Sequence, residues 1–447
     1  MFVRKIVFIL GGIKMKKLVL TLPFLFLANL ALAAGFGLYE FSARGNAMGG
    51  AVLAGEAEPA SLALNPALIT ELPGKQIQLG VTVVTAAGGV EYGPYTGDAK
   101  RQWWPLPNFY YTQQINDRWW WGLGAFSRFG LSNDYKNDGW MLPAYNPSDP
   151  MAGGASLKHV GVTTFSVQPT VAYKATDRLS VSLGAEVQYL NFTEKLRFGN
   201  TAATFADLNL DGDSVAVSGM LALFYKANEK VNFGASFRMR NDHSVRGPNK
   251  YDYVNSLAAA KFVQGGDFWG DITFPAQLAL GASWKPNNKL LIEFNWTNVF
   301  WSCFKAVDIY FDHTPGTTGS SGLMGTPLNN SKHYQDAYRI GFGAEYTLTD
   351  AIKLRGSFIY DKSPLNRDFM DVMLPVDDRY IIGTGAGFKL SENVILDLSY
   401  SFLIATSLEG TAIKEDPSTT PSTITQIPAT YKSATSHLMG ISIRYKF

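Results

Sequence analysis

The side chains able to do chemistry in this chain are few and scattered. His159, His243, His313, His333 and His437 have no zinc-type spacing. Cys303 is the only cysteine, so no internal disulfide forms, and no Cys/His cluster suggests a metal. No serine stands in a nucleophile-elbow motif, which argues against a lipase or protease. The adjacent acids Asp377 and Asp378 lie beside Arg379 and read as an ion-paired loop anchor rather than an acid–base pair. No enzyme, metal or cofactor follows from these residues, so the function is sought in what the rest of the chain builds.

The first 33 residues read as a processing segment. Lys14, Lys16 and Lys17 form a basic region, Leu18 to Leu32 an apolar one, and Ala31-Leu32-Ala33 the small residues of a cleavage site. Met1 and Met15 each open a basic and apolar stretch, and Met15 reads as the initiator. The apolar run is about 15 residues, short of the roughly 20 that a spanning helix needs. Losing residues 1–33, with five cations and no acid, takes the formal charge from +2 to −3. That balance argues against nucleic acid, which requires a basic face. Aromatics at 13%, 43 glycines and only 17% charged residues are unlike an ordinary soluble protein. With no further long apolar run, a chain that enters a membrane must do so as strands.

From Lys75 onward the pattern has period two. Met439, Ile441, Ile443, Tyr445 and Phe447 alternate with Gly440, Ser442, Arg444 and Lys446, and Leu396, Leu398, Tyr400 and Phe402 with Asp397, Ser399 and Ser401. Similar runs start at Leu179 and Ile352. A secreted β-sandwich also alternates, so connection lengths decide. Six are tight and polar: Asn116-Asp117, Thr176-Asp177, Asn228-Glu229, Asn287-Asn288, Thr349-Asp350 and Glu392-Asn393. Between them fall long loops near 88–105, 131–160, 196–213, 243–272, 306–333, 363–378 and 404–435. Short turns alternating with long loops mark an outer-membrane barrel, here all-β, antiparallel and of about fourteen strands. Its apolar parity meets lipid, while Glu186, Lys353, Arg355, Asp397, Arg444 and Lys446 face the lumen, since charge toward lipid is costly. So wide a lumen has room for a plug.

Ala34 to Leu72 supplies one. It is rich in Gly and Ala, lacks either period, and ends in Asn65-Pro66-Ala67. Gly35-Phe36-x-Leu38-x-Glu40-Phe41-Ser42 followed by Asn65-Pro66-Ala67-Leu68-Ile69-Thr70 resembles the hatch of the FadL/TodX family, outer-membrane channels for long-chain fatty acids and other hydrophobic compounds. Asp336-Ala337-Tyr338-Arg339-Ile340, Asp361-x-Ser363-Pro364 with Asn366-Arg367, Trp301-Ser302-x-Phe304, and Phe237-Arg238 with His243 and Gly247 resemble further family elements in the same order. The resemblance implies three domains: a signal peptide (1–33), a hatch or plug (34–73) and a barrel (74–447). It implies passive uptake of a fatty acid, or of an aromatic hydrocarbon, with hatch movement and lateral release. Sequence leaves open a structural or adhesive barrel without transport.

A fatty-acid channel needs an apolar slot and a cation for the carboxylate. By local alignment with the family the substrate-binding candidates are Arg197 and Lys332, with Phe36 nearby and Asn65, Pro66 and Ala67 as the hatch turn. The third strand, about Trp119 to Gly130, is expected to bend at Gly122, Gly124 or Gly130, beside a wall gap. Residues 251–265 are expected to form a short amphipathic helix near Phe268 and Trp269. The partners implied are hydrophobic small molecules, outer-membrane lipid and lipopolysaccharide, and the barrel-insertion machinery through Phe447, with the protein a monomer.

Overall fold

Two parities of each strand see different surroundings, and that difference closes the sheet. The computed structural model describes residues 36–93, 95–136, 140–141, 155–201, 204–253, 266–311, 332–373, 377–416 and 423–447. Within them fourteen antiparallel strands form a closed barrel. They are β1 (Lys75–Ala87), β2 (Gln102–Gln114), β3 (Trp119–Phe126 and Gly130–Asp134), β4 (Ala155–Lys174), β5 (Leu179–Thr201), β6 (Thr204–Lys226), β7 (Val231–Arg238 and Asn241–Tyr253) and β8 (Asp267–Phe274 and Gln277–Asn287). The others are β9 (Leu290–Val299), β10 (Ala337–Thr349), β11 (Ile352–Asp361), β12 (Arg379–Lys389), β13 (Val394–Ala405) and β14 (Ala434–Lys446). Closure comes from β1, paired with β14 on one side and β2 on the other.

On β6, Val215, Val217, Leu221, Leu223 and Tyr225 are exposed while Ala216, Met220, Ala222 and Phe224 are buried. Those exposed positions span the 9–11 residues that a tilted strand needs to cross a bilayer. Above them the outward residues Asp211 and Asp213 are polar, which sets the extracellular edge of the apolar band. Trp119, Trp121, Trp284, Tyr346 and Tyr445 stand exposed at the short-turn end, where an aromatic girdle belongs. Of the expected lumen charges, Glu186, Arg355, Asp397 and Arg444 are buried, and Lys353 is half-buried; Lys446 is exposed at the rim.

The tight turns fall where expected. Asn116 Oδ1 accepts from the N–H groups of Arg118 and Trp119 at 2.9 and 3.0 Å. Asn228 and Asn287 repeat this, and Thr176 does so through its hydroxyl; short polar side chains of this kind hold tight turns. The long connections are more ordered than expected. Residues 196–201 and 204–213 are strand rather than loop: β5 and β6 stay paired as far as Thr201↔Thr204, with a register shift after Phe198↔Ala206, because hairpin hydrogen bonds need no bilayer to persist. Residues 88–105 and 404–435 build a separate four-stranded sheet from Gly89–Tyr92, Tyr95–Asp98, Leu408–Asp416 and Thr423–Tyr431. In the expected helix over 251–265, residues 251–253 are strand, and 254–265 lie outside the described residues. The 1–33 segment lies outside them too.

Residues 36–72 are inside the barrel and form no wall strand. Ser42 caps a short helix, Ala43–Ala47, its Oγ accepting from Gly45 N–H at 2.9 Å. A helix Ser61–Leu64 and a 3₁₀ turn Pro66–Glu71 follow. Small residues let this backbone press against the wall: a Cβ on Gly343 would lie 2.4 Å from the Met48 carbonyl oxygen, and one on Gly341 2.6 Å from that of Gly49. The Gly/Ala richness and missing periodicity of the segment follow from such contacts on all sides.

The third strand does break, but not at Gly122 or Gly124, which stay in the ladder opposite Thr112 and Tyr110. Those glycines serve close packing; a Cβ on Gly122 would meet Leu62 at 2.8 Å. The interruption is at 127–129, just before Gly130. Pairing of β2 with β3 stops at Phe109↔Ala125, and the upper piece of β3 pairs with β4. The chain start fills in there: Leu38 N–H donates to the Arg128 carbonyl at 2.7 Å, and Gly37 bridges Phe129.

Candidate functional site

Inward residues of the upper half of the barrel are apolar and aromatic, and they converge on Phe36. Its ring meets Trp301 at 5.0 Å, Phe304 at 5.2 Å and Phe274 at 6.0 Å, all edge-on. Phe129 stacks on Phe274 at 4.2 Å, and Tyr334 packs on Phe304 at 5.1 Å. Trp104 and Leu106 of β2, Val160 and Val162 of β4, and Leu190 and Phe192 of β5 extend the same buried cluster. Edge-to-face aromatic pairs add to the area they bury, so this is a large, tightly packed apolar cluster in the upper lumen. Phe36 itself has φ of 52°, a strained region for a bulky residue.

Lys332 is set at the border of this cluster by backbone bonds. Its N–H and that of His333 donate to the Lys305 carbonyl at 2.6 and 3.0 Å. The residue is 2% exposed, and Nζ meets Asp371 Oδ2 at 2.5 Å and Met373 Sδ at 3.2 Å. The β11–β12 loop delivers Asp371. Tyr431 Oη bonds both the N–H and the carbonyl of Asp371, at 2.8 and 2.7 Å, and Tyr135 Oη donates to the Val372 carbonyl at 2.6 Å. A buried ammonium needs such a partner, since its desolvation is otherwise uncompensated.

Glu194 of β5 faces the same border. It lies beyond the membrane band, whose last exposed apolar residue on this strand is Tyr189. Burial pushes its carboxyl up to about 7, with Asp371 adding to the shift and Lys332 opposing it.

Of the residues expected from sequence, Phe36 and Lys332 come to this one region. Arg197 pairs through its backbone with Ser156 and Asp207; its side chain lies outside the described residues. Asn65, Pro66 and Ala67 sit elsewhere, at the lower end of the internal segment. Asn65 Nδ2 donates to the Leu53 and Leu223 carbonyls at 2.6 and 3.0 Å, and its Oδ1 accepts from Ala67 N–H at 3.2 Å. Asp377 and Asp378 do anchor a loop, through Thr406, Tyr360 and Ser363, while Arg379 pairs with Asp361. Asp371, Glu194 and Tyr431 were missed. Only Glu194 left a trace, sharing the even, inward parity of Glu186.

A closed fourteen-strand barrel with an apolar outer band, an occupied lumen and an aromatic cluster in its upper interior belongs to the class of outer-membrane transport barrels. The profile of the family described as "Outer membrane protein transport protein (OMPP1/FadL/TodX)" matches residues 24–447. The chain belongs to that family and is an outer-membrane protein of the hydrophobic-compound transport group. It is 21% identical to the long-chain fatty acid transport protein of Escherichia coli O6:H1 (strain CFT073), over 84% of this chain and 88% of that one. Among solved structures it resembles a Pseudomonas aeruginosa FadL homologue, with TM-score 0.74, 15% identity and coverage of 94% and 99%. The Ralstonia pickettii toluene transporter TbuX gives a TM-score of 0.64, 17% identity and coverage of 92% and 100%.

Proposed function

We propose that this protein is a passive channel that takes up long-chain fatty acids, holding the tail in the aromatic cluster around Phe36 and the carboxylate at Lys332. The observation that carries this reading is a buried ammonium at the edge of a large apolar cluster. Apolar area supplies most of the affinity, and a charge-assisted hydrogen bond orients the head. Arg197 is the second cation implied by the family. In this proposal residues 1–33 are a cleaved leader, 34–73 a hatch and 74–447 the barrel. Asn65-Pro66-Ala67 is the point about which the hatch shifts, and the gap where β2 and β3 cease to pair with each other, above Phe109 and Ala125, is the lateral exit. Phe447 is the insertion signal of a barrel that works as a monomer among lipid and lipopolysaccharide.

A second reading, an aromatic-hydrocarbon channel, is favoured by one observation: Asp371 already neutralises Lys332. Uptake of labelled oleate with toluene as competitor, in cells lacking their own channel, separates the two. We expect oleate entry, reduced at least tenfold by Lys332→Met combined with Asp371→Asn, in line with the roughly 1.5–3 kcal/mol of a charged hydrogen bond. Toluene entry without oleate would establish the hydrocarbon reading, and entry of neither would sink both.

Glu194 predicts a pH dependence. Below about 7 it is neutral, and above that it adds a negative charge beside Lys332 and Asp371. An alkyl carboxylate ionises near the glutamate value of about 4.3, so decanoate stays charged throughout. Decanoate affinity, titrated on the detergent-solubilised protein, should therefore fall as pH rises from 6 to 8. Glu194→Gln should flatten the profile; an unchanged slope in that variant would remove Glu194 from the site.

A further inference from the structure

We propose that a second anion subsite lies beneath the apolar cluster, in the cavity walled by Arg128, Arg238 and Arg339, and that it receives the carboxylate of a ligand moving from Lys332 toward the break in β3. This rests on the fatty-acid reading above. The cavity measures about 30 Å³ and is bordered by Tyr39, Phe41 and Met220 besides the three arginines; no carboxylate lines it. That is room for a group of water or head-group size.

Arg128, Arg238 and Arg339 are 3%, 4% and 4% exposed, and their guanidinium groups are under-supplied with acceptors. Arg128 Nη1 and Arg238 Nη1 both donate to one oxygen, Glu186 Oε2, at 2.8 Å each. Arg238 also donates to Gln168 Oε1 at 2.5 Å and to the Ala63 carbonyl at 2.7 Å. Arg339 donates to the Gly49 carbonyl at 3.2 Å and lies over the Tyr39 ring, 3.9 Å from its centre. Asp361, opposite Arg339 in the ladder, is taken by Arg379, and Glu40 is also near Arg339. The excess positive charge therefore lies on the Arg128 side. Among the described residues, Arg128 Nη2 and Arg339 Nε find no acceptor. Leaving a buried charged donor unpaired is costly, and a carboxylate would satisfy it with a charge-assisted pair.

Position gives the subsite its use. The Arg128 carbonyl accepts from Leu38 N–H at the break in β3, and Phe36, two residues earlier, occupies the apolar cluster in its strained left-handed conformation. Relaxing that one residue moves Phe36 and Leu38 together, which joins the cluster to the cavity and to the unpaired edge of β2. Backbone strain of this kind persists only where the surroundings impose it, often at moving parts.

The test compares uptake of labelled oleate with that of its methyl ester, in cells lacking their own channel, with folded barrel quantified by heat-modifiable migration. Arg128→Met should lower the oleate-to-ester ratio at least tenfold, and Arg128→Lys should recover most of it. Arg339→Met attacks the cavity from β10 and should lower the ratio too, which keeps the test open if Arg128→Met does not fold. A ratio within twofold of the parent in both methionine variants overturns the subsite while leaving the channel reading intact. A parent protein that takes up the ester but not oleate, or neither, removes the fatty-acid reading and the subsite with it.

Discussion

Replacing Gly234 by valine is expected to unseat residues 36–72 and turn a closed barrel into a leaking one. Position 234 lies on β7 facing the internal segment, and a Cβ there would stand 2.0 Å from the Leu53 carbonyl oxygen and 2.7 Å from Asn65 Nδ2. Neither atom has room to retreat, because Asn65 clamps that carbonyl at 2.6 Å and reaches across to Leu223 at 3.0 Å. Overpacking a tight contact costs about 1–3 kcal/mol, sometimes more. The wall at this point is stitched on both sides, Gly234 lying opposite Phe224 and Gly281, so the internal segment yields first. Swelling of proteoliposomes in a hydrophilic sugar should rise at least tenfold with strand content unchanged by circular dichroism. Asn65→Ala should act in the same direction and less strongly, since it forfeits three hydrogen bonds of about 1 kcal/mol each without adding a clash. If both variants stay impermeable, residues 36–72 are not the seal, and Asn65-Pro66-Ala67 is a structural turn with no part in transport.

Glu345→Gln is expected to be the most destabilising single change in the lower lumen. One carboxylate there serves three cations: Arg44 Nε at 3.1 Å, Arg355 Nε at 2.7 Å and Lys353 Nζ at 3.0 Å. Arg355 continues to Asp397 at 2.7 Å, and Arg444 reaches Asp397 at 3.2 Å. Arg44, Glu345, Arg355 and Asp397 are all buried, so solvent does not screen the loss. Breaking a buried ion pair from one side costs about 3–5 kcal/mol. Because Arg44 belongs to the internal segment and the others to β10, β11, β13 and β14, the variant weakens both the wall and what it holds. The temperature at which the folded band disappears on gel electrophoresis should drop clearly. Losing the exposed Lys389–Glu392 pair should leave it in place. A Glu345→Gln protein as heat-resistant as its parent would show that the network adds no stability.

Much of the architecture was legible because a barrel is a periodic object. Alternation from Leu179 to Val187 and from Met439 to Phe447 separates a lipid face from a lumen face, and each depends only on neighbours two residues apart. Asn116, Thr176, Asn228 and Asn287 mark turns by bonding backbone within three residues, which is again local. Such features survive reading one residue at a time. The loops were harder: the β5–β6 hairpin above the membrane carries Asp211, Asp213 and Lys195, whose polarity resembles a loop although the ladder continues.

The sequence by itself determined an even, closed, outer-membrane barrel and an internal segment of small residues, while the family resemblance pointed to Lys332 and Phe36, which the fold brings to one apolar cluster. Only the tertiary structure decided that Lys332 is already paired with Asp371, that Glu194 stands beside them, that β3 breaks at 127–129, just before Gly130, rather than at Gly122 or Gly124, and that Arg128 and Arg238 share a single acid. The reason is physical. Charges in a lumen find partners across strands and loops far apart in the chain, and a strand breaks where another segment supplies its missing hydrogen bonds, as Gly37 and Leu38 do here. Neither the partner nor the substitute bond leaves any mark on the residues beside it in sequence.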